Sequence, residues 1–480
     1  MPKLRTAARA SGVLASGALA LAALTGCTAP PTATPTPSAP PSAAATPPLP
    51  AGELELVYQA PQVGDVDRST SPIMQPGVSI SEKWIAVVSP PDGALTVFER
   101  ATLDEAWSAA GGPADWGPCG DPFFLSEERL VLLTGIEGGG ACARFVVYDL
   151  ESGEAVDGFE FVTAEYQGTK SYEQVTGTAA VDGRLWFVTS FHGLGFLDPE
   201  TGEPVPVLDG EELGAFTDDD GGRAHVSSLA VDPGSGLLVT TLLHGELLGD
   251  APASDVYGVR VDGADAEVVW KFGDTIDGNA SLGVGELDAS DPFLFVDERE
   301  PGVLAIAELA GGGAVLGRLD PETGRMPAPI SPSTGVEFAA GLTSGHGAYE
   351  VVGDLLVTGA KDPDGGSVDL VGYDLATGEE RWRTTPPAPF TATLQDVSVG
   401  TDGELYALSI GLVNGDAALN RIDPETGEST ESWEIPSGLF GETGVTARVV
   451  DDAVVLAYES NQAIAFPTSP LVILAAEQRD

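Results

Sequence analysis

Asp-Pro-Glu-Thr-Gly occurs three times in this chain, at 198–202, 320–324 and 423–427. Looser copies precede and separate these three. Aligned on the acid that follows an apolar residue, they read Phe98-Glu99, Tyr148-Asp149, Leu197-Asp198, Val261-Asp262, Leu319-Asp320, Tyr373-Asp374 and Ile422-Asp423. Successive acids stand 50, 49, 64, 58, 54 and 49 residues apart. A period of this size marks a repeat architecture, in which each unit buries its apolar face against its neighbours. In five copies the acid is followed by Thr-Gly or Ser-Gly. A carboxylate that can accept backbone N–H groups, with a glycine tolerant of positive φ just beyond it, is the chemistry of a tight turn between two strands.

The flanks of these turns are short apolar stretches such as 143–148 and 368–373. Upstream of them a second hairpin signal recurs, as in Asp182-Gly183 before Leu185-Trp186-Phe187-Val188 and Asp402-Gly403 before Leu405-Tyr406-Ala407-Leu408. Tryptophan stands eight residues after the acid in three copies, Trp107, Trp270 and Trp382, and Trp433 stands ten after. Each unit therefore reads as four short antiparallel strands, one blade of a β-propeller. Eight units are counted, with second strands near 84–88, 130–134, 185–189, 237–242, 293–296, 355–358, 405–409 and 454–458. The fold class is all-β, a propeller of four-stranded antiparallel blades, eight in number with seven as the alternative. The segment 53–58 resembles an outer strand that completes the last blade. In the seven-bladed alternative, 469–475 is itself the last outer strand. The 61 glycines and 37 prolines are spread along the chain, and no amphipathic helical period survives beyond a turn or two.

These residues resemble the PQQ-like, quinoprotein-type propeller repeat, whose docking motif runs Ala-x-Asp-x-x-Thr-Gly-x-x-x-Trp. The stretch Gly372-Tyr373-Asp374-Leu375-Ala376-Thr377-Gly378-Glu379-Glu380-Arg381-Trp382 fits it everywhere but the first position. Asp423, Thr426 and Gly427 fit its front half, and Trp433 is displaced. The resemblance implies that the tryptophan of one blade packs over the turn of the next, a structural role without chemistry. It also brings in enzymes that hold pyrroloquinoline quinone over the channel with an adjacent cysteine pair, an Asp base and calcium ligands. No adjacent cysteines occur here, and no base or calcium site can be carried over. No cofactor is expected, with Ca²⁺ left open. Propeller lipoproteins that help assemble outer-membrane barrels share the resemblance. Their assembly role is not carried over, because the composition and the long Pro-rich spacer suit a Gram-positive wall.

Residues 1–26 read as a lipoprotein signal peptide. Lys3, Arg5 and Arg9 precede an apolar run at 13–24, and Leu24-Thr25-Gly26-Cys27 matches a lipobox. The run falls short of the ~20 residues a transmembrane helix needs. Cys27 is the expected site of lipid attachment, palmitate included. Residues 28–50 are Pro, Thr, Ala and Ser with a single Leu and no charge; prolines favour an extended spacer. The propeller is expected over 51–480. This places the protein at the cell membrane, lipid-anchored on its extracytoplasmic face, with no other membrane contact. Outside the cytosol the two remaining cysteines, Cys119 and Cys142, are candidates for a disulfide.

The chain has 73 acidic and 22 basic side chains, a formal charge of −51. Nucleic acid is excluded as a partner, since no basic patch exists to neutralise phosphates. Among the four histidines, His225 and His346 precede innermost strands and are weak ligand candidates. No His-x-Glu or His-x-x-x-His pair, nucleophile elbow or phosphate loop occurs. The resulting expectation is a non-catalytic binding or scaffold module for an extracytoplasmic protein or small ligand. The alternatives are a quinone- or metal-dependent propeller enzyme and a small-molecule or Ca²⁺ sensor.

Overall fold

A computed structural model of the chain describes residues 47–60, 77–89, 94–109, 121–135, 142–166, 169–181, 183–190, 193–213, 216–217, 223–232, 235–244, 253–263, 265–271, 293–296, 303–308, 314–328, 330, 349–361, 368–384, 392–411, 417–436, 445–458 and 471–476. The chain divides into two units after Ala45, and all of these residues belong to the second.

The turns are built from their own side chains. Oδ1 of Asp198, Asp320 and Asp374 accepts the backbone N–H groups two and three residues on, at 2.9–3.0 Å. The glycine four residues after each acid donates its N–H back to the acid's carbonyl. Gly153, Gly202, Gly324, Gly378 and Gly427 all lie at φ 65–75°, where a Cβ is unfavourable. In the turn after Glu99 the same place is held by Leu103 at φ 61°, so one copy tolerates the strain that the glycines avoid. The Ser152 N–H holds the Asp149 carboxyl below the usual carboxylate range, and the N–H groups of Thr201 and Glu200 do the same for Asp198.

These turns follow the third strands of small antiparallel sheets and lead into the fourth wherever a fourth is described. In chain order the first sheet pairs Gly77–Ile80, Trp84–Ser89, Ala94–Glu99 and Glu105–Ala109. The second pairs Phe123–Ser126, Arg129–Gly135, Cys142–Asp149 and Ala155–Glu160. A hairpin, Val162–Tyr166 with Thr169–Tyr172, separates it from the third, Val175–Val181, Arg184–Thr189, Gly193–Leu197 and Pro204–Leu208. The fourth has five strands, Phe216–Thr217, Arg223–Asp232, Leu237–His244, Ala253–Asp262 and Asp265–Lys271. The fifth shows three, Phe293–Val296, Val303–Glu308 and Ala314–Leu319. The sixth holds Tyr349–Val352, Leu355–Lys361, Val368–Asp374 and Glu380–Thr384, and the seventh Ala392–Val399, Leu405–Gly411, Ala417–Ile422 and Ser429–Ile435. The last pairs Val445–Val450, Ala453–Tyr458 and Leu471–Ala476 with the N-terminal strand Leu54–Gln59.

One placement differs from the sequence reading, and a second decides between its two alternatives for the last blade in favour of 53–58 as the outer strand. Residues 293–296 form the first strand of the fifth sheet, and Val303–Glu308 forms its second. In addition, Leu471–Ala476 is a third strand, covered by Leu54–Gln59, and not an outer one.

The sheets pack face to face in sequence order. Trp84, Val88 and Val97 of the first meet Leu130, Leu132 and Leu150 of the second. Phe145 and Val147 of the second meet Val175, Leu185 and Phe187 of the third. Trp186 and Phe196 of the third pack with Val226, Leu229 and Leu238 of the fourth. Further round, the sixth sheet packs on the seventh and the seventh on the last. The circuit closes where Ile85, Val87 and Phe98 of the first sheet meet Val455, Leu471 and Ile473 of the last. The protein is a β-propeller: small antiparallel sheets pack on one another in turn, and the last packs on the first.

Tryptophans on the outermost strands of the first, fourth and sixth blades tie each of these to the next. Trp107 donates its indole N–H to Leu150 O at 2.8 Å, Trp270 to Pro321 O at 2.9 Å and Trp382 to Pro424 O at 2.8 Å. In each case the ring lies over the positive-φ glycine of that next turn, Gly153, Gly324 and Gly427 respectively. Trp382 also faces Gly372, its cross-strand partner, where a Cβ would come within 2.4 Å of the ring. This close approach accounts for glycine at the motif's first position.

The seam has its own version of this joint. Trp433 donates to Pro50 O at 2.9 Å, and Leu49 is 1% exposed in the same core. Leu49 N–H faces Asp402 Oδ2 and the Tyr406 hydroxyl, which itself donates to Asp402 at 2.6 Å. The end of the Pro-rich stretch thus occupies the place of the turn that the last blade lacks. Tyr58 then stacks edge-on against Phe98 of the first blade at 4.8 Å, and burial beside Glu105 pushes its phenol up to about 12.

A second clasp crosses the seam. Arg100 of the first blade donates from Nε and Nη2 to the two carboxylate oxygens of Asp451, both at 2.7 Å, and the seventh blade's Thr401 donates to the same carboxylate. The Arg100 bonds hold Asp451 below the usual carboxylate range. A carboxyl whose folded pKa is depressed stabilises the fold above its unfolded value, ~3.9, and loses that contribution as pH falls through the folded value. Asp451→Asn will therefore be less stable than the parent at pH 7, by no more than about 1 kcal/mol for a partly solvated pair. The two will converge as pH falls through the folded value of Asp451. Urea midpoints across pH check this, and a gap that persists at low pH would refute it.

Candidate functional site: a charged belt on the innermost strands

The inner strands of neighbouring blades lie side by side, Val175–Val181 beside Arg223–Asp232 (which follows the short Phe216–Thr217), Tyr349–Val352 beside Ala392–Val399, and Ala392–Val399 beside Val445–Val450. They are close enough for side chains of one to bond the backbone of the next. Thr176 donates to Val226 O at 2.8 Å, and Ser398 to Ala447 O at 2.9 Å. These strands wall the centre of the ring.

Three charged residues occupy them in successive blades. Glu350 Oε2 accepts the Val399 N–H at 3.0 Å. Asp396 Oδ2 accepts the Ala447 N–H at 2.7 Å and Arg448 Nη1 at 2.8 Å. Nη1 of Arg448 also donates to Ala447 O at 2.9 Å. The sixth, seventh and last blades are thereby joined at their inner edges by charge-assisted bonds.

The electrostatics are those of an enclosed but wetted site. Protein surrounds Arg448, yet 37% of its side-chain surface stays accessible, against 15% for Asp396. Arg448 is thus enclosed by protein without being sealed from solvent. Burial opposes the charge on Arg448, but Asp396, Glu350 and Asp121 hold its pKa above the ordinary arginine value. Burial pushes the Asp396 carboxyl up, against the pull of Arg448 and the Ala447 N–H. Among the described residues Nε and Nη2 of Arg448 meet no acceptor.

The residues singled out from sequence lie elsewhere. His225 is in Arg223–Asp232, opposite Leu243 in register. His346, Cys27 and Cys119 fall outside the described residues. Cys142 opens the third strand of the second blade and is disulfide-bonded. Asp374, Thr377 and Gly378 form the turn that precedes Trp382, and Asp423, Thr426 and Gly427 form the turn on which Trp382 rests. Burial works against Asp374, but Arg381 and the N–H groups of Thr377 and Ala376 hold its carboxyl below the usual range. Among the described residues no group of three His, Cys, Asp or Glu side chains is placed to hold a metal ion. Nor is any helix among them long and apolar enough to cross a membrane. Sequence reasoning missed Glu350, Asp396 and Arg448 altogether. The one signal available was an arginine inside the apolar strand Val445–Val450 of a chain with few basic residues.

Comparison with known proteins agrees with the repeat. Residues 253–469 match a PQQ-type family model described as outer membrane protein assembly factor BamB. Over these residues the chain carries the PQQ-like repeat. The match begins in the fourth blade, on the strand before Trp270, and runs past Ala453–Tyr458 of the last, with both turns around Trp382 inside it. No curated protein matches the chain. Similar solved structures include the Dos1 propeller, at 10% identity over 89% of this chain and 95% of that one, with a TM-score of 0.49. The computationally designed Ika8 protein is similar at 15% identity over 87% and 100%, with a TM-score of 0.44. A quinonprotein alcohol dehydrogenase-like protein from Bacteroides thetaiotaomicron is similar at 10% identity over 75% and 65%, with a TM-score of 0.31.

Proposed function

We propose that this PQQ-like propeller, of eight blades, is a lipid-anchored extracytoplasmic module that binds or scaffolds a partner without catalysing a reaction. The observation that carries the reading is where the tether meets the ring. Cys27 stands in a lipobox, a Pro-rich spacer comes after it, and the spacer's last residues, Leu49 and Pro50, are built into the joint with Trp433. An anchor at Cys27 would tether the ring through a spacer whose end is part of the joint between the seventh blade and the last. Rigid rings with clustered loops suit recognition. The strongly acidic surface works against resting on anionic lipid headgroups, which favours a body held off the membrane.

Metabolic labelling with a palmitate analogue, followed by mass spectrometry of the N-terminal peptide, tests the anchor. Label at Cys27, and release of a Cys27→Ser protein into the medium, are expected. A mature N-terminus without lipid would refute the anchor. Cross-linking in intact cells tests the module, with reproducible capture of a neighbouring protein from parent cells as the expected result. Failure to capture any would remove the scaffold reading.

A further inference from the structure

The belt of Glu350, Asp396 and Arg448 bonds across the boundaries between blades, and its chemistry also suits recognition. A guanidinium offers two parallel N–H groups along its Nε–Nη2 edge, a match for a carboxylate. In Arg448 that edge is unused among the described residues, because Asp396 and Ala447 O are both served from Nη1. The Asp396 contact fixes the guanidinium without covering its fork. The accessible share of the side chain, 37%, leaves room for an approach from solvent.

Charge narrows the ligand. Glu350 and Asp121 both act on Arg448 electrostatically, and the whole chain carries −51. A bare anion would approach the fork against these carboxylates, and a bare cation would approach them against Arg448. A molecule bearing both signs meets neither penalty.

We propose that the belt binds a small zwitterion, its carboxylate taken by the Nε–Nη2 edge of Arg448 and its ammonium placed in the field of Glu350. This deepens the binding-module reading and rests on it. Its failure remains distinguishable, since lipid labelling and protein capture do not depend on the belt.

The test is calorimetric titration of the purified full chain with glycine, 3-aminopropionate and 4-aminobutyrate, and with acetate and methylammonium as half-ligands. Saturable binding of at least one amino acid is expected, with no binding of either half-ligand at the same concentration. Arg448→Lys keeps the charge beside Asp396 but loses the fork, and should weaken that binding by about tenfold or more. Arg260→Lys, on a surface ion pair with Glu267 and Glu322, should leave it unchanged. Glu350→Gln provides a second variant should Arg448→Lys fail to fold, and should weaken the amino acid while letting acetate bind. No saturable heat from any amino acid, equal binding of acetate to the parent, or an unaltered affinity in a folded Arg448→Lys or Glu350→Gln would each overturn the proposal.

Discussion

A protein that begins at Ala60 will lose its cooperative unfolding transition, whereas one that begins at Thr46 will keep it. The segment removed in the first case is small, but it completes a blade. Leu54–Gln59 is the outer strand of the last blade and pairs antiparallel with Leu471–Ala476. Leu471, Val472, Ile473 and Leu474 are fully buried. Without the N-terminal strand their backbone N–H and C=O groups would line an open edge, which is both unsatisfied and prone to pairing with another chain. The side chains lost matter as much. Leu49 and Leu54 lie in one core with Trp433 and Leu474, and burial of two leucines contributes about 3–6 kcal/mol. Tyr58 against Phe98 and the Trp433–Pro50 bond add to this. Set against a typical net stability of about 5–15 kcal/mol, removal of this strand is enough to open the ring at its seam. Tryptophan fluorescence in urea and size-exclusion chromatography will read the outcome: a broad, early transition and self-association for the shorter chain. A synthetic peptide spanning 46–60 should restore the sharp transition when added back. Superimposable melts for the two lengths would mean the last blade stands without its fourth strand.

The elements legible in the sequence were those fixed by local chemistry. The turn at 423–427 needs an acid, a hydroxyl residue and a glycine at set positions, and each requirement leaves its letter in the chain. Second strands are the most buried, so Leu405–Gly411 and Trp84–Ser89 read as apolar runs. The misplacement in the fifth blade came from the same rule applied to the wrong run. Phe293-Leu294-Phe295-Val296 is the more hydrophobic stretch, but Val303 stands 17 residues before Asp320, in line with the 19 from Leu355 to Asp374. Spacing to the acid was the better guide there. Leu49 and Pro50 were read as spacer because their composition is that of a spacer; only a partner 383 residues away, Trp433, makes them part of a core. The belt was illegible for the related reason that its members lie on three blades. Asp396 and Arg448 are 52 residues apart, about one repeat. Contacts between equivalent positions of successive blades leave no local pattern, and the periodicity that reveals the fold says nothing about which periodic position carries charge.

Replacing Gly427 with alanine will cost far more than the same change at Gly403, although both glycines sit in the left-handed region, at φ 73° and 82°. The backbone strain is common to both and amounts to about 1–2 kcal/mol. The surroundings differ. A Cβ on Gly403 would meet nothing within 4 Å, whereas one on Gly427 would come within 2.3 Å of the Trp382 ring. The ring cannot retreat, because Gly372 on its other side leaves a gap closed to 2.4 Å for any added carbon, and its N–H is held by Pro424 O. Gly427→Ala must therefore break the joint between the sixth and seventh blades, with a loss approaching that of Trp382→Ala, about 3–5 kcal/mol. Gly403→Ala should lose only the strain. The two effects at the joint should also fail to add: once Trp382 is alanine the collision is gone, so Gly427→Ala in that background should cost no more than Gly403→Ala does in the parent. Urea melts of the four variants measure the cycle. Strict additivity between Gly427→Ala and Trp382→Ala, or equal losses at 403 and 427, would show that the tryptophan does not clamp the turn, and the blade-to-blade joint would have to be sought in the shared apolar core of Val357, Leu370, Val397 and Ala407 alone.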